Sequence, residues 1–535
     1  MRKKLFGILA IVIVQITMLA GCGFDLQGRA DYGAGAVGVL AGAEGKVLNI
    51  AAQDPQVPLD MQLNTYSLLK KMTDNIVETL ITPGEDGTQE PTLLTRMPEL
   101  SADNLTYSFT LKEGVKFHNG EILTSNDVKY SLERLVRKVK MGSLLEKVEG
   151  YDAFDSGQAE SLAGIEIIDN THFNIRLSSV YTPFLSVLST PYAAIYPARA
   201  CEEAGEDWGL LTLIGTGPFA LDHYTGGVDC TIRKFSGYHG TPAKLDIVNF
   251  KFISDYSAQI LEYQKGTVDM LEIDSTLYAA CVEDEQLKKE MYSYQRQGSQ
   301  FLLFNVKEIP DVRVREAITY AIDRKAICEE IMHGMAVPAA SFIPRGIIGY
   351  DESAEVYEYN PDKARRLLTE AGHAKGYTLE ITANSNYPAN VKIAEAMQTQ
   401  AVPAGITVII NQVDNSTWTD MKKNGKVACG FASWYVDYGD PDSMLYPVSD
   451  GRVDVSSSFW HHDEFRKLMN DGVKTADAAL RQKIYQKADH ILTREEYAVA
   501  PVFNETNFYL VKPYVSGVKI TDAHRTFLVH ADIHK

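Results

Sequence analysis

Apolar residues along this chain recur at two spacings, every second position and every third or fourth, and the two patterns take turns throughout the sequence. In LTYSFTLKEGVKFHNGEILTSNDVKYSLERL, the alternation of Tyr107, Phe109 and Leu111 predicts a half-buried strand. Glu113-Gly114 predicts its turn, Val115 and Phe117 continue on the return, and Asn119-Gly120 turns again. Thr124-Ser125-Asn126-Asp127 fits a capping box, in which hydroxyl and carboxylate each satisfy an exposed amide, opening a helix with Val128, Leu132 and Leu135 on one face. Further on, Val314, Ala317, Ile318, Ala321 and Ile322 follow a helical stripe, and Asp323 is placed to cap another helix that ends at Gly334. Asn360-Pro361 starts a third, with Ala364, Leu367, Leu368 and Ala371 as its buried face and Gly372 as its stop. Strands are predicted between these helices at 377–381 and 406–410, so the pattern is α/β in both halves of the chain.

The first residues break this pattern. Arg2, Lys3 and Lys4 precede sixteen mostly apolar residues, Leu5 to Ala20, then Gly21 and Cys22. Such a run is short for a membrane span of about 20 residues and ends in small side chains, as an export signal does, with an uncleaved anchor helix as the rival reading. Leu19-Ala20-Gly21-Cys22 resembles the bacterial lipoprotein signal, which implies cleavage before Cys22 and lipidation of its thiol. The mature protein is then expected outside the cytoplasm, tethered to the cell membrane. Residues 23–46 are rich in Gly and Ala without sustained amphipathic periodicity and read as a flexible linker, reaching on the order of 27 Å.

The remaining ~490 residues exceed what one core serves, so at least two lobes are expected. The formal charge is -18, and more negative still without the three leading cations, which argues against nucleic acid or anionic lipid as a partner. Besides Cys22, the cysteines at 201, 230, 281, 328 and 429 are odd in number and widely spaced, with no CxxC, so scattered thiols and an unassigned disulfide both remain open.

Enzyme signatures are sparse. GxxxxGK[ST], HExxH and GxSxG are absent from the sequence. Ser67-Leu68-Leu69-Lys70 fits the SxxK of penicillin-binding enzymes, but the companion SDN and KTG elements are missing; the nearest strings are Ser125-Asn126-Asp127 and Lys474-Thr475-Ala476. His461-His462 lacks further ligands at metal-site spacing and reads as an exposed or polar pair. No metal site, cofactor or catalytic residue is expected.

Four stretches together resemble the extracytoplasmic solute-binding proteins of ABC importers, in the family (family 5) that takes up peptides and nickel complexes. They are Tyr107 to Asp127-Val128, Gly215-Thr216-Gly217-Pro218-Phe219, Asp311 to Arg324, and Trp434 to Pro441. The resemblance implies an α/β, two-lobe periplasmic-binding-protein type II fold with an extra domain and two hinge crossings. Lobe I would comprise 47–87, 190–300 and 504–535, with 88–189 as the family-specific extra domain. Lobe II would span 301–503, with hinges near Phe301 to Asn305 and Ala500 to Asn504. The implied function is a monomeric, non-enzymatic receptor that encloses a peptide and delivers it to ABC permease subunits. Capture of nickel or another metal as a chelate is the alternative within the fold, and a penicillin-binding-type cell-wall enzyme the alternative outside it.

The stretch SWYVDYGDPDSML, residues 433–445, carries the candidate site. Asp440 reads as a helix N-cap, Pro441 as the first helical residue and Asp442 as a first-turn acid. Asp437 is left without such a role. By resemblance, the Asp of a Trp-x-x-Asp-Tyr string accepts a peptide α-ammonium, and Asp437 occupies that place; a salt bridge to a protein cation is the other reading. The resemblance also puts Trp434, Tyr435 and the loop Thr65-Tyr66-Ser67 in the cleft, although Tyr66 and Trp434 equally suit a core. Some relatives carry an Arg three residues before that Trp to meet a ligand carboxylate; here the position is Phe431.

Overall fold

The computed structural model describes residues 45–535 except 65, 85–87, 139–141, 450–457 and 522–524. The expected signal, lipidated Cys22, the linker up to residue 44 and Thr65 therefore lie outside the described residues. Among those described, no helix is long and apolar enough to cross a membrane.

A mixed sheet of twelve strands organises the molecule. In chain order these are β1 (Val47–Ala52), β2 (Phe219–Thr225), β3 (Asp229–Lys234), β4 (Ile247–Phe252), β5 (Met270–Ile273), β6 (Met291–Gln295), β7 (Gly298–Phe304), β8 (Ala336–Pro338), β9 (Tyr377–Asn384), β10 (Ile406–Val413), β11 (Cys429–Tyr435) and β12 (Val499–Val511). The spatial order is β10-β9-β11-β7-β12-β5-β1-β4-β3-β2, with β6 and β8 also paired to β12. The thirteen-residue β12 is shared by both halves. Its first part pairs with β7 and β8, through Gln300↔Phe503 and Ala336↔Glu505. Its second part pairs with β5 and β6, through Met270↔Val511 and Met291↔Leu510. Strand partners thus change between Gln295 and Gly298 on one pass and around Glu505 on the other.

The apolar side chains sort into separate cores on either side of these crossings. Strand alternation does the sorting: Leu302 and Phe304 of β7 pack with Ile318 and Leu379, while Phe301 and Leu303 point the other way, toward Phe342, Trp460 and Tyr485. Leu48 and Ile50 of β1 join a different core that continues into Phe109, Phe173 and Leu528.

The helix caps follow local chemistry. Asn360 accepts the Lys363 N–H at 2.9 Å, opening a helix at Pro361–Glu370 that buries Ala364, Leu367 and Leu368. Asp323 accepts the Ala326 N–H at 3.0 Å. The capping box at 124–127 is only half formed: Asp127 accepts both the N–H and the hydroxyl of Thr124, at 2.9 and 2.7 Å, so the hydroxyl is spent on the carboxylate rather than on an amide. The expected hairpin from 107 to 117 is corrected as well. Thr106–Thr110 pairs with Glu99–Leu100 and His172–Arg176 in a four-stranded sheet, and the local return is a smaller turn bridging Lys116 and Ile122. Cys201, Cys230, Cys281, Cys328 and Cys429 are all free, buried thiols, which removes the disulfide reading.

Away from the crossings, the segment after His172–Arg176 touches the 301–503 half directly. Tyr181 Oη donates to Asp442 at 2.7 Å and the Thr182 N–H to the Val473 carbonyl at 2.8 Å.

Candidate functional site: a cleft between the two halves

A cleft of about 820 Å³ lies where the halves meet, within the 300–1,000 Å³ range typical of small-molecule sites. One wall is the start of helix α1 (Ser67–Thr73), preceded by Tyr66. The facing wall is the end of β11 and the residues that follow it. Sites outside the carboxyl ends of strands are where open α/β sheets place ligands, because side chains leaving the last strand positions converge there.

β11 delivers its residues to known stations. Trp434 Nε1 donates to the Ser443 carbonyl at 2.7 Å, and the Asp437 N–H donates to Ser443 Oγ at 2.8 Å, so one serine fixes both ends of the Trp-to-Asp turn. Tyr435 lies over Gly298, where an added Cβ would meet its ring carbon at 2.2 Å; only glycine permits this approach. The Tyr435 hydroxyl donates to Glu505 at 2.6 Å and accepts from Gln300 at 3.0 Å. Gln300 also donates to Glu505 at 2.9 Å, and Arg296 stacks 3.5 Å over the Tyr435 ring, 3.7 Å from Glu505. These four side chains form a closed, polar floor at the strand crossings.

Asp437 differs from its neighbours. It is half-buried in the cleft wall, and among the described residues its carboxylate has no hydrogen-bond or ion-pair partner. Desolvation pushes it up to about 6, with Lys70 across the cleft pulling the other way. A further cavity of about 420 Å³ is also bordered by Trp434 and Asp437, together with Leu144, Tyr181, Tyr446 and Met469 among others. Asp440 and Asp442 have structural partners. Asp440 Oδ1 accepts the Asp442 N–H at 3.1 Å as an N-cap of helix α2 (Pro441–Ser449), and its carboxylate pairs with Arg481 at 2.8 Å. Asp442 accepts from Tyr181 and Tyr438.

The cleft therefore brings together Asp437, Trp434, Tyr435, Tyr66 and Ser67 of the expected residues. Tyr66 is 58% exposed, which removes the core reading for it. Sequence reasoning missed Arg296, Gln300 and Glu505, and saw Lys70 only as the end of an SxxK string. Ser67 and Lys70 do share a face of α1, one turn apart, and both line the cleft. His462 caps the helix at Asp463–Gly472 by accepting the Phe465 N–H at 3.2 Å, and His461 lies 3.2 Å from Asp463. Among the described residues no group of three or more His, Cys, Asp or Glu side chains is arranged to hold a metal ion.

Residues 88–454 match the family described as "Bacterial extracellular solute-binding proteins, family 5 Middle". The chain belongs to this family. Among family 5 relatives, the dipeptide-binding protein of Escherichia coli K12 is 28% identical over 78% of this chain and 82% of its own. Heme-binding protein A of Haemophilus influenzae is 26% identical over 78% of this chain and 80% of its own. The fold matches the periplasmic murein tripeptide binding protein MppA in its unliganded open form, with a TM-score of 0.78 at 23% identity over 92% of this chain and 98% of that one. A structure of the Escherichia coli murein tripeptide binding protein MppA gives 0.76 over 92% of this chain and 99% of that one, also at 23% identity. This family 5 protein is thus an extracytoplasmic solute-binding protein for ABC import, with the type II periplasmic-binding fold, and not an enzyme.

Proposed function

We propose that the solute is a peptide whose free α-ammonium rests on Asp437. One observation carries this reading: a carboxylate in the wall of the cleft, desolvated and, among the described residues, without a cation bonded to it. An ammonium group supplies the missing charge and the hydrogen bonds that such a carboxylate lacks. The dipeptide-binding protein and the murein tripeptide binding protein are named for peptide ligands, which supports the same class here. Trp434, Tyr435, Tyr66 and Ser67 would flank the bound chain, whose amides can pair with protein backbone as an added strand.

The halves would close about two crossings, at residues 296–298 and near 505, a few residues outside the spans 301–305 and 500–504 implied by the resemblance. On this reading the lobes would be 47–87, 190–300 and 504–535 against 301–503, with 88–189 as an extra domain, and the closed form would be what ABC permease subunits recognise. Cys22 would carry the lipid that holds the protein at the cell membrane. Titration calorimetry with a short peptide and its N-acetylated form tests the anchor: acetylation is expected to abolish most of the affinity. Equal binding of the two forms would remove Asp437 from the role.

A further inference from the structure

Lys70 is 8% exposed, lines the 820 Å³ cleft, and among the described residues its ammonium makes no hydrogen bond or ion pair. Its neighbour Lys71, equally buried, is instead matched by Glu272. The acid one turn along from Lys70, Asp74, is bound through Oδ1 by Arg525, whose Nε and Nη2 lie 3.0 and 2.8 Å away. The other cations lining the cleft are differently placed: Arg296 is engaged by Tyr435 and Glu505, and Lys392 and His333 are exposed. A lone buried ammonium is costly, and burial accordingly drives the Lys70 pKa down, while Asp74 and Asp437 oppose that shift.

Among the described residues, the cleft thus presents one carboxylate without a bonded partner from the β11 side and one ammonium without a bonded partner from the α1 side. We infer that Lys70 receives a carboxylate of the solute, so that the cleft selects short zwitterions, with ammonium on Asp437 and carboxylate on Lys70. This rests on the peptide reading above and adds the second terminus to it. A ligand carrying both charges neutralises both walls at once, whereas one that ends in an amide leaves Lys70 desolvated and unpaired. The position three residues before Trp434 holds Phe431 and offers no charge of its own. Lys70 supplies the cation from the opposite wall, and a ligand spanning the two would hold the halves together.

Native mass spectrometry of the full chain in detergent tests this, using an equimolar pool of tripeptides with free C-termini and the same peptides as C-terminal amides. The parent is expected to retain the free acids over the amides by about tenfold or more, the worth of a charge-assisted hydrogen bond. Lys70→Met should retain both forms equally, Lys70→Gln should behave in the same way, and Lys70→Arg should keep the preference. Equal retention by the parent, or an undiminished preference in a folded Lys70→Met or Lys70→Gln, would overturn the assignment while leaving the peptide reading intact. Retention of neither form by the parent would overturn both.

Discussion

Asp437 and Asp440 stand three residues apart, and burial pushes both carboxyls up to about 6, yet they sit in opposite circumstances. Asp440 is closed in by Arg481 and by the Asp442 amide of α2. Asp437 faces a cleft and, among the described residues, meets no cation at bonding distance. Desolvation by itself therefore does not mark a binding residue in this stretch; on the reading proposed above, desolvation without a bonded partner does. The same distinction separates Lys71 from Lys70 on the facing wall.

The contrast can be broken most forcefully by substitution. Asp440→Ala strands the buried Arg481 and should cost about 3–5 kcal/mol of folding stability, read by thermal or urea denaturation. Asp437→Ala should leave stability near that of the parent, yet weaken binding of a free-amine peptide by about 3–5 kcal/mol in calorimetry. If the two variants exchange these signatures, the assignment of roles is inverted.

Acidity gives a smaller effect with a definite sign. Binding an ammonium requires ionised Asp437, so affinity should fall as pH drops through 6 and be about tenfold lower at pH 5 than at pH 8. Stability of the empty protein responds in the opposite sense. A raised carboxyl favours the folded state while protonated, so this contribution is lost as pH rises through about 6. Asp437→Asn should flatten the binding profile while leaving the contribution of Asp440 to stability in place.

The smallest change is expected at Tyr66. Exposed as it is, Tyr66→Ala should alter folding stability by no more than about 0.5 kcal/mol, so any loss of ligand affinity in that variant reports contact with the solute.

What could be read from sequence divides along the range of the interactions. Caps at Asp323 and Asn360 are decided within three residues and were legible, as was the alternation that buries Tyr107 and Phe109. The partner of that strand was not, because alternation specifies a face and not a neighbour. Ser108 meets Asn174 across 66 residues, while the nearer return at 115–117 pairs elsewhere. In the site, Asp437 stood out because its two acidic neighbours had local explanations and it had none. The floor of the cleft carried no such signal: Gln300 and Glu505 are 205 residues apart and become one network only through the sheet. Lys70 was visible merely as part of a short motif with a different meaning.

The shared strand β12 has a consequence for biogenesis. Met270–Ile273 and Met291–Gln295 find their hydrogen-bond partners at 506–511, more than two hundred residues downstream. A polypeptide emerging from the ribosome cannot complete its first half-sheet until that distant segment is available, and such long-range pairing is intrinsically slow. Delayed assembly of this kind leaves the edge of the first half-sheet open until nearly the whole polypeptide has been made.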